Sequence, residues 1–413
     1  MVDFPANARI LFIGHHFPRP NNKVIGTWAI DQLDAMNNMV EEVRAISPVP
    51  LVPSFIGRVL GKGSSHLCPD YGVMGRSHIK SFYPRWPIYP VGPLKHFLFR
   101  FPAIFLFLAW NFIKGDVCKI HEDFKPTHIF AHHGAMGGYI ASKLSEIYGT
   151  PYFITEHSFG EIESCARLYF RRKVYKSVIK RAELWVAVAS RMASAMRRQC
   201  PDANIKTIYN GINPDSIPNA PDIPLDLKGV IQGKLVIFCA CFMYERKNVP
   251  LLVKAFDVAA ESTKEAVLVI AGDGPDYNNV VSAVENSKHK DRIHIIGRVE
   301  HKDILSIMLI SDVFASFGVN EPFATTFIEA MGCGCPIIYC SDGGICEVVQ
   351  DGIHGFSIPP NDLSAGVAAI TKLLINSKLR TKMGSNGRLL VADRLTWQRN
   401  VQTIFSEVGL IES

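Results

Sequence analysis

Two glutamates eight positions apart, Glu321 and Glu329, are the side chains whose type and spacing most directly indicate chemistry. The first lies in a predicted loop, and the second lies in the helix predicted after Pro322. Helical rise separates the two carboxylates by about 10–12 Å, too far to share a proton but suited to the two ends of one ligand. The amide N–H groups at the helix N-terminus would bind an anion between them. A ligand with hydroxyls, phosphate and hydroxyls in that order is a nucleotide-sugar, although two solvated glutamates also show this spacing by chance.

Two adjacent cations, Arg246 and Lys247, follow a predicted strand and precede a predicted helix. A guanidinium fork beside an ammonium group suits a diphosphate leaving group, whose negative charge grows as the sugar–oxygen bond breaks. An exposed turn would carry the same residue types. The pair therefore indicates a phosphate site only in combination with the glutamates.

Histidines end several predicted strands. His157 follows the strand predicted over 152–155, where a histidine could orient a substrate hydroxyl or line a reaction centre. A lone histidine is more often structural. Four others, His15, His16, His132 and His133, also lie at predicted strand ends. Gly26 follows the first strand and loop, and its missing side chain would let the backbone approach a phosphate.

Several patterns that would indicate other functions are absent from the sequence. There is no Asp-x-Asp motif, so no carboxylate-held metal is predicted, and no G-x-G-x-x-G motif of a dinucleotide-binding dehydrogenase. The ten cysteines include no C-x-x-C pair, which indicates buried reduced thiols in a reducing compartment rather than zinc ligands. The N-terminus lacks a basic start followed by an apolar run, so no secretory signal is predicted. No nucleic-acid partner is predicted.

Strand-like and helix-like segments alternate along the whole chain. The predicted strands are 9–14, 128–131, 152–155, 184–188, 235–241, 266–271, 292–296, 312–317 and 336–340. Such alternation predicts parallel sheets joined by crossover helices. The proline-rich stretch 213–227 separates two halves, so we predict an α/β fold of two doubly wound, Rossmann-like domains that face each other across a cleft. Ligands bind at the carboxyl ends of strands in such sheets, which predicts a site in the cleft.

Charge and apolarity are unevenly distributed. Residues 1–215 are basic and the remainder is mildly acidic, within a net charge of +6. Residues 97–113 are the most apolar stretch, but Arg100 and Pro102 leave it short of the ~20 residues of a spanning helix. We expect either a buried helix or a patch that docks on lipid. Residues 168–182 predict a helix with one apolar face and one basic face, which is either solvated or attracted to anionic lipid.

The second half contains an ordered series of motifs. They are the segment 321–336 with both glutamates, Asn210-Gly211-Ile212, Lys247-Asn248, the turn 272–275, Gly297, Gly343-Gly344, Glu347, Asp351-Gly352 and Gly355, with Thr155-Glu156-His157 in the first half. In this series the chain resembles the family-4 glycosyltransferases over most of residues 9–390, strongly in the second half and weakly in the first.

The resemblance implies a GT-B fold and retaining, metal-independent glycosyl transfer. It implies an acceptor-side domain over 1–215, a donor domain over 216–390 and a helix in 391–413 that crosses back to the first domain. It gives Glu321 the donor sugar hydroxyls and Glu329 the ribose hydroxyls. The remaining implied site residues are Arg246, Lys247 and Gly26 at the diphosphate, the backbone of Phe323, Ala324, Thr325 and Thr326 at sugar and phosphate, Arg298 and Val299 at the base, and His157 at the reaction centre.

The sequence also departs from the family pattern. Cys241-Phe242-Met243 stands where Gly-Arg-Leu is common, so Arg246 is expected to replace the usual arginine, and Ala324 stands where glycine is common. We predict a cytoplasmic hexosyltransferase in peripheral contact with the anionic inner face of the membrane. It would use a UDP- or GDP-linked sugar, no cofactor, and a cell-surface polysaccharide or lipid-linked glycan precursor as acceptor. The alternatives are another sugar-nucleotide enzyme, such as an epimerase or a sucrose-type synthase, and a catalytically silent glycan-binding protein.

Overall fold

A computed structural model describes residues 7–22, 26–50, 68–86, 102–167 and 169–412. The chain divides into two compact units. The first is Met1–Tyr209 with Trp397–Ser413, and the second is Asn210–Thr396. The proline-rich stretch 213–227 lies within the second unit, where the Asp222 N–H donates to Ser306 Oγ at 3.3 Å and nearby Ile212 N–H donates to the Leu395 carbonyl at 2.9 Å.

The first unit contains an eight-stranded sheet in the order β10-β9-β8-β7-β1-β2-β5-β4. Its strands are β1 (Arg9–Ile13), β2 (Glu42–Ile46), β4 (Tyr71–Met74), β5 (Ile79–Phe82), β7 (His128–His132), β8 (Tyr152–Glu156), β9 (Leu184–Ala187) and β10 (Ile205–Thr207). All neighbours are parallel except the antiparallel pair β4 and β5. The central strands are buried on both faces, which explains their nearly continuous apolar sequences. A two-stranded sheet joins β3 (Val49–Pro50) and β6 (Arg85–Trp86).

Helices pack on this sheet and bury one apolar core. They are α1 (Thr27–Asn37), α2 (Pro102–Phe124), α3 (Gly138–Tyr148), α4 (Phe159–Arg167), α5 (Tyr169–Arg181), α6 (Ser190–Gln199) and α14 (Trp397–Glu407), with a π-helix over His133–Gly137. The last helix, α14, contributes Val401, Ile404 and Phe405 to the core that also contains Leu33 of α1. The C-terminal helix is therefore an integral part of the first unit.

The second unit contains a six-stranded, wholly parallel sheet in the order β13-β12-β11-β14-β15-β16. Its strands are β11 (Leu235–Ala240), β12 (Ala266–Ala271), β13 (Ile293–Gly297), β14 (Val313–Ala315), β15 (Ile337–Cys340) and β16 (Gly355–Ile358). Strand order runs outward in one direction from β11 and in the other from β14. Loops on either side of this reversal diverge and leave a crevice, where doubly wound sheets bind ligands.

Helices cover both faces of the second sheet. They are α7 (Leu225–Ile231), α8 (Val249–Ala259), α9 (Tyr277–Glu285), α10 (His301–Ile310), α11 (Thr325–Gly332), α12 (Leu363–Ile375) and α13 (Ser377–Arg394). Phe256, Phe317 and Ile370 are among the buried side chains of its core. The predicted alternation of strands and helices is confirmed in both units, and so is the α/β, doubly wound fold class.

The two helices predicted to approach a membrane are both in the first unit. Part of the apolar stretch 97–113 lies outside the described residues, and the rest belongs to α2. On α5, Tyr175, Val178 and Ile179 are buried, while Lys176 and Lys180 are exposed, as the predicted amphipathic pattern requires. Within the described ranges, no helix is long and apolar enough to cross a bilayer.

Candidate functional site

The order reversal in the second sheet brings Arg246, Lys247 and Glu321 together. The two cations follow β11, and the carboxylate follows β14, the strand beside it. Arg246 Nη1 and Lys247 Nζ each lie 2.7 Å from Glu321 Oε1. Residues that are 75 positions apart in the chain therefore form one ion cluster at the carboxyl edge of the sheet.

Local backbone geometry fixes this ion cluster. Glu245–Lys247 forms one 3-10 turn, which ends at Asn248 in the left-handed region with φ 52°. The Val319 N–H donates to the Arg246 carbonyl at 2.9 Å, which ties the two loops together. Gly318 leaves space for the carboxylate, since a Cβ at that position would lie 2.8 Å from Glu321 Oε1.

The cluster is electrostatically asymmetric. Glu321 is buried, with a side chain 6% exposed, whereas the side chains of Lys247 and Arg246 are 15% and 44% exposed. Burial alone would raise the pKa of Glu321, but the charges and hydrogen bonds of Lys247 and Arg246 outweigh it and lower that pKa. Glu321 is therefore ionised at neutral pH. The more exposed Arg246 is the cation that an incoming anion would reach first.

Helix α11 begins at Thr325, three residues after Pro322, and carries the second glutamate. Its N-cap is Ala324, which provides no side-chain oxygen for the first N–H groups of the helix. Phe323 is buried, whereas Ala324, Thr325 and Thr326 are partly exposed. Open amides at a helix N-terminus are a suitable place for a phosphate or sugar oxygen.

Glu329 lies on the buried part of α11. One oxygen, Oε1, is 2.8 Å from Nε2 of His301, the first residue of α10. This contact orients the carboxylate. His301 is a residue that the sequence reasoning missed, because its pairing with Glu329 depends on how two helices pack.

The loop after β12 contacts the loop after β11, and the loop after β13 contacts the loop after β12. Gly272, with φ 135°, packs so closely on the β11 loop that a Cβ would lie 1.9 Å from the Cys241 carbonyl oxygen. The Gly272 N–H donates to the Gly297 carbonyl at 2.7 Å. Arg298 follows at once, exposed, with Nη1 4.0 Å from Asp273 Oδ2. The predicted base-contacting residues, Arg298 and Val299, therefore lie on a loop that contacts the one after β12.

Five histidines of the first unit lie together near the point where the strand order of its sheet reverses. Its strand order reverses between β1 and β7, and five imidazoles meet where β1, β7 and β8 end. The ring centroids of His15 and His133 are 5.2 Å apart, and those of His133 and His157 are 5.5 Å apart. We call His15, His16, His132, His133 and His157 the histidine cluster. Sequence reasoning singled out His157 and gave the others lower weight.

Helix α1 closes one side of the histidine cluster. Trp28 packs on His132 and His157, with ring centroids 4.9 and 4.2 Å away. Gly26 is the N-cap of α1 with φ 70°, and a Cβ there would lie 2.4 Å from the His16 carbonyl oxygen. Only glycine fits this close approach, which gives Gly26 a structural role in holding the loop that carries His16.

A buried chain of hydrogen bonds links the histidine cluster to α14. Gln32 Oε1 lies 2.9 Å from His132 Nε2, and Gln32 Nε2 donates to Asn400 Oδ1 at 2.7 Å. Asn400 Nδ2 in turn donates to the Tyr209 carbonyl at 2.8 Å. No local sequence pattern indicates Gln32 or Asn400, because the two are 368 positions apart.

His157 is neutral at physiological pH. Burial lowers its pKa well below the ordinary value, and the charges of His133 and His16 lower it further. Its Nε2 atom is buried and has no hydrogen-bond partner within the part of the chain that the structure describes. A neutral imidazole with an unused nitrogen suits a hydroxyl-bearing ligand.

One group in the first unit has the geometry of a metal site. Ligand atoms of His133, Glu156 and Glu161 lie within 4.8 Å of one another. Glu156, however, already accepts five hydrogen bonds, and His133 Nδ1 points at it from 3.0 Å. These residues fit a hydrogen-bonded ion pair better than a metal cage. Metal independence of the reaction stays a prediction.

Comparison with known proteins identifies the class of this chain. The family model of glycosyl transferases group 1 matches residues 228–390, and that of glycosyltransferase family 4 matches residues 68–216. The chain therefore belongs to the group 1, family 4 glycosyltransferases and has their GT-B fold.

Relatives and solved structures agree with this assignment. An uncharacterized glycosyltransferase of Methanocaldococcus jannaschii, MJ1069, is 23% identical over 329 residues, which cover 78% of this chain and 81% of that one. Sucrose-phosphate synthase from Thermosynechococcus elongatus superposes with a TM-score of 0.72 at 19% identity, over 96% of this chain and 97% of that one. Anabaena HepE in complex with UDP and glucose gives a TM-score of 0.72 at 17% identity, over 98% and 100%. The resemblance deduced from the motifs is confirmed.

Proposed function

We propose that this glycosyltransferase moves a hexose from a UDP- or GDP-linked donor to a glycan or lipid-linked acceptor, with retention and without a metal. The observation that carries the proposal is the buried, ionised Glu321 bonded to Arg246 and Lys247 where the strand order reverses. A diphosphate is bound by cations, and the adjoining sugar is bound by a group that accepts hydrogen bonds from its hydroxyls. The ion cluster contains both kinds of group. Two solvated glutamates would not be held in this way.

The ion cluster implies an exchange of partners when the donor binds. Arg246 Nη1 and Lys247 Nζ both contact the same oxygen of Glu321. An incoming diphosphate competes for Lys247 and Arg246, because phosphate oxygens are strong acceptors for both. The released carboxylate oxygen then accepts a sugar hydroxyl. Binding of the diphosphate and recognition of the sugar are thereby coupled.

Stabilisation of the leaving group follows from the same residues. Negative charge accumulates on the diphosphate as the glycosidic bond breaks, and fixed cations together with the open amides of α11 stabilise it there. The acceptor hydroxyl attacks from the face that the diphosphate leaves, which gives retention. Glu329, oriented by His301, binds the ribose, and neutral His157 binds a hydroxyl of the transferred sugar.

Similarity to nucleotide-sugar enzymes supports the donor class. The HepE crystals contain UDP and glucose. The likeness to sucrose-phosphate synthase, at 19% identity, supports the fold alone and does not favour the sucrose-type alternative. UDP-glucose is therefore the first donor to test.

A lipid-linked acceptor has support in the first unit. Ile104, Phe107, Leu108 and Phe112 of α2 are exposed, with Phe107 at 58% and Phe112 at 55%. Helix α2 packs against α5, whose described basic side chains are exposed. Apolar side chains beside a basic helix are typical of a surface that docks on anionic lipid. We call these four residues of α2 the apolar face.

A thermal-shift screen of the full chain against UDP, GDP, ADP and their sugars tests the proposal first. A ligand at 100 times its Kd stabilises the folded protein by about 2.7 kcal/mol, which shifts the melting temperature measurably. We expect one nucleotide to stabilise, and its sugar to be hydrolysed or transferred. Stabilisation without turnover of any donor favours the catalytically silent protein. A changed sugar with no acceptor consumed favours the epimerase.

A further inference from the structure

A fully buried carboxylate lies in the first unit, outside the ion cluster of the second unit. Glu156 is the last residue of β8 and has no exposed surface. Its Oε1 accepts hydrogen bonds at 3.0 Å from His133 Nδ1 and from the N–H groups of His157 and Ser158. The same oxygen therefore contacts the side chain of one cluster histidine and the backbone of another.

The second oxygen of Glu156 also accepts hydrogen bonds. Oε2 accepts from the Gly134 N–H at 3.1 Å and from the Tyr175 hydroxyl at 2.7 Å. His133 begins the π-helix with φ 64°, a conformation that costs a non-glycine residue of order 1–3 kcal/mol. Strain of this kind persists only where surrounding contacts hold it. Glu156 bonds both the ring of His133 and the amide that follows it.

Glu156 also determines charge in the histidine cluster. Burial alone would lower the pKa of His133, but the hydrogen bond to Glu156 and the charges of Glu156 and Glu161 outweigh it and raise that pKa. Burial and repulsion among the imidazoles lower the pKa values of the remaining cluster histidines, with His16 falling to about 4. His133 is thus the cluster histidine whose charged form is favoured, among rings whose neutral form is favoured.

The groups around His133 come from several elements. The carboxylates are Glu156 of β8 and, with Oε1 3.9 Å from His133 Nδ1, Glu161 of α4. His15 and His16 face it from the loop after β1, His157 faces it from the loop after β8, and Tyr175 of α5 shares its carboxylate partner. Both acids favour the charged form of His133, and the three neutral imidazoles can accept or donate without adding charge.

We propose that Glu156 is a positioning residue for glycosyl transfer, which holds His133 as an imidazolium and braces the backbone of His157 beside it. The inference rests on the proposed function, because its consequence is to present one fixed cation and one neutral imidazole to the reacting sugar. Loss of the Glu156 charge removes the partner that favours the charged form of His133.

A histidine NMR titration of the whole protein tests the charge assignment without any substrate. Histidine signals are followed through pH, and His133 is assigned by its loss in the His133→Gln variant. We expect a midpoint above 6.5 in the wild-type protein and a fall of about 1–3 pH units in Glu156→Gln, the effect of removing a close opposite charge. Glu163→Gln, the same change at an exposed position on α4, is the matched control and leaves the midpoint unchanged. A wild-type midpoint at or below 6.5 overturns the proposal, even if Glu156→Gln fails to fold.

The pH dependence of turnover tests the positioning role, with the donor from the thermal-shift screen. The raised pKa of His133 means that its charge is present at low pH and is lost as pH rises through that value. In Glu156→Gln the basic limb of the kcat profile therefore moves to lower pH, and kcat at neutral pH falls at least about tenfold with KM nearly constant. An unchanged basic limb overturns the positioning role. A wild-type protein that turns over no donor refutes the proposed function instead, while the titration still decides the ion pair.

Discussion

At the scale of residues, each unit contains a buried carboxylate that is paired with basic side chains. The second unit pairs two cations with buried Glu321, and the first unit pairs His133 with buried Glu156, which favours the charged form of that histidine. Glu321 follows β14, which borders the point where strand order reverses, and Glu156 ends β8, one strand away from the corresponding point in the first sheet. The sequence identified the first arrangement because both of its loops carry recognisable motifs. It missed the second, because only the folded sheet brings the end of β8 beside the end of β7.

Glu321→Gln separates sugar recognition from phosphate binding. We expect turnover to fall roughly 10- to 100-fold, because a hydrogen bond to a charged group contributes about 1.5–3 kcal/mol. Binding of UDP, or of GDP if that is the base, should be unchanged or up to about fivefold tighter, since the partly exposed ion pair no longer competes. Calorimetric titration and initial rates measure both effects. Glu261→Gln, an exposed and loosely paired glutamate of the second unit, is the control. Equal weakening of the nucleotide and the nucleotide-sugar would contradict the exchange of partners.

Lys247→Ala and Glu329→Gln distinguish the two ends of the nucleotide. Lys247→Ala should weaken both UDP and inorganic pyrophosphate by about 10- to 100-fold, the loss of a charged hydrogen bond. Glu329→Gln should weaken UDP about tenfold and leave pyrophosphate within about twofold, since its proposed ligand contact is the ribose. Competition binding with the two ligands gives the comparison. Lys302→Ala, at an exposed lysine on α10, should change neither. If Glu329→Gln weakens pyrophosphate as much as UDP, its ribose role is wrong.

At the scale of elements, alternation of apolar strands and amphipathic helices was sufficient to predict five of the six strands of the second sheet and four of the eight strands of the first. Parallel strands buried on two faces give long apolar runs, such as 235–241 and 266–271, which are easily read. The strands β2, β4, β5, β10 and β16, the short pair β3 and β6 and the π-helix after β7 were not predicted. Their sequences are short or polar, and long-range pairing fixes them. The sequence predicted a helix that begins after Pro322, and α11 begins three residues later, at Thr325.

The C-terminal helix should stabilise the first unit. Phe405 is completely buried in the core of that unit, so Phe405→Ala is expected to cost about 3–5 kcal/mol of unfolding free energy. Thr403→Ala, at an exposed position on the same helix, should stay within about 0.5 kcal/mol. Urea denaturation followed by circular dichroism compares the two variants with the wild-type protein. Equal midpoints for Phe405→Ala and Thr403→Ala would mean that α14 does not belong to the core.

At the scale of the whole molecule, charge and apolar surface favour a lipid-associated acceptor. The basic first half carries both the apolar face of α2 and the exposed cations of α5, while the ion cluster lies in the mildly acidic second half. The sequence predicted the uneven charge from its composition and the basic face of α5 from the spacing of its residues. Which residues of 97–113 are exposed was not readable, because helix packing decides which face of α2 is covered.

Exchanging two residues of the apolar face for acids should abolish vesicle binding. We expect the wild-type protein to sediment with vesicles that contain phosphatidylserine, less so at high salt, because each basic residue near an anionic surface contributes about 1 kcal/mol. The variant with Phe107→Asp and Phe112→Asp should remain in the supernatant. Ile375→Asp, at a 66% exposed position in the second unit, is the control and should sediment like the wild-type protein. If the double variant sediments with the vesicles, the apolar face is not the surface that binds them.

A crystal structure of the protein with its intact donor nucleotide-sugar tests the central claim most directly. The account predicts the diphosphate within hydrogen-bond distance of Lys247 Nζ and Arg246, a sugar hydroxyl on Glu321 and the ribose on Glu329. It also predicts that Glu321 has exchanged at least one of its two cations for the ligand. A donor bound elsewhere, or bound here while both cations stay on Glu321 and the sugar contacts neither carboxylate, would contradict it.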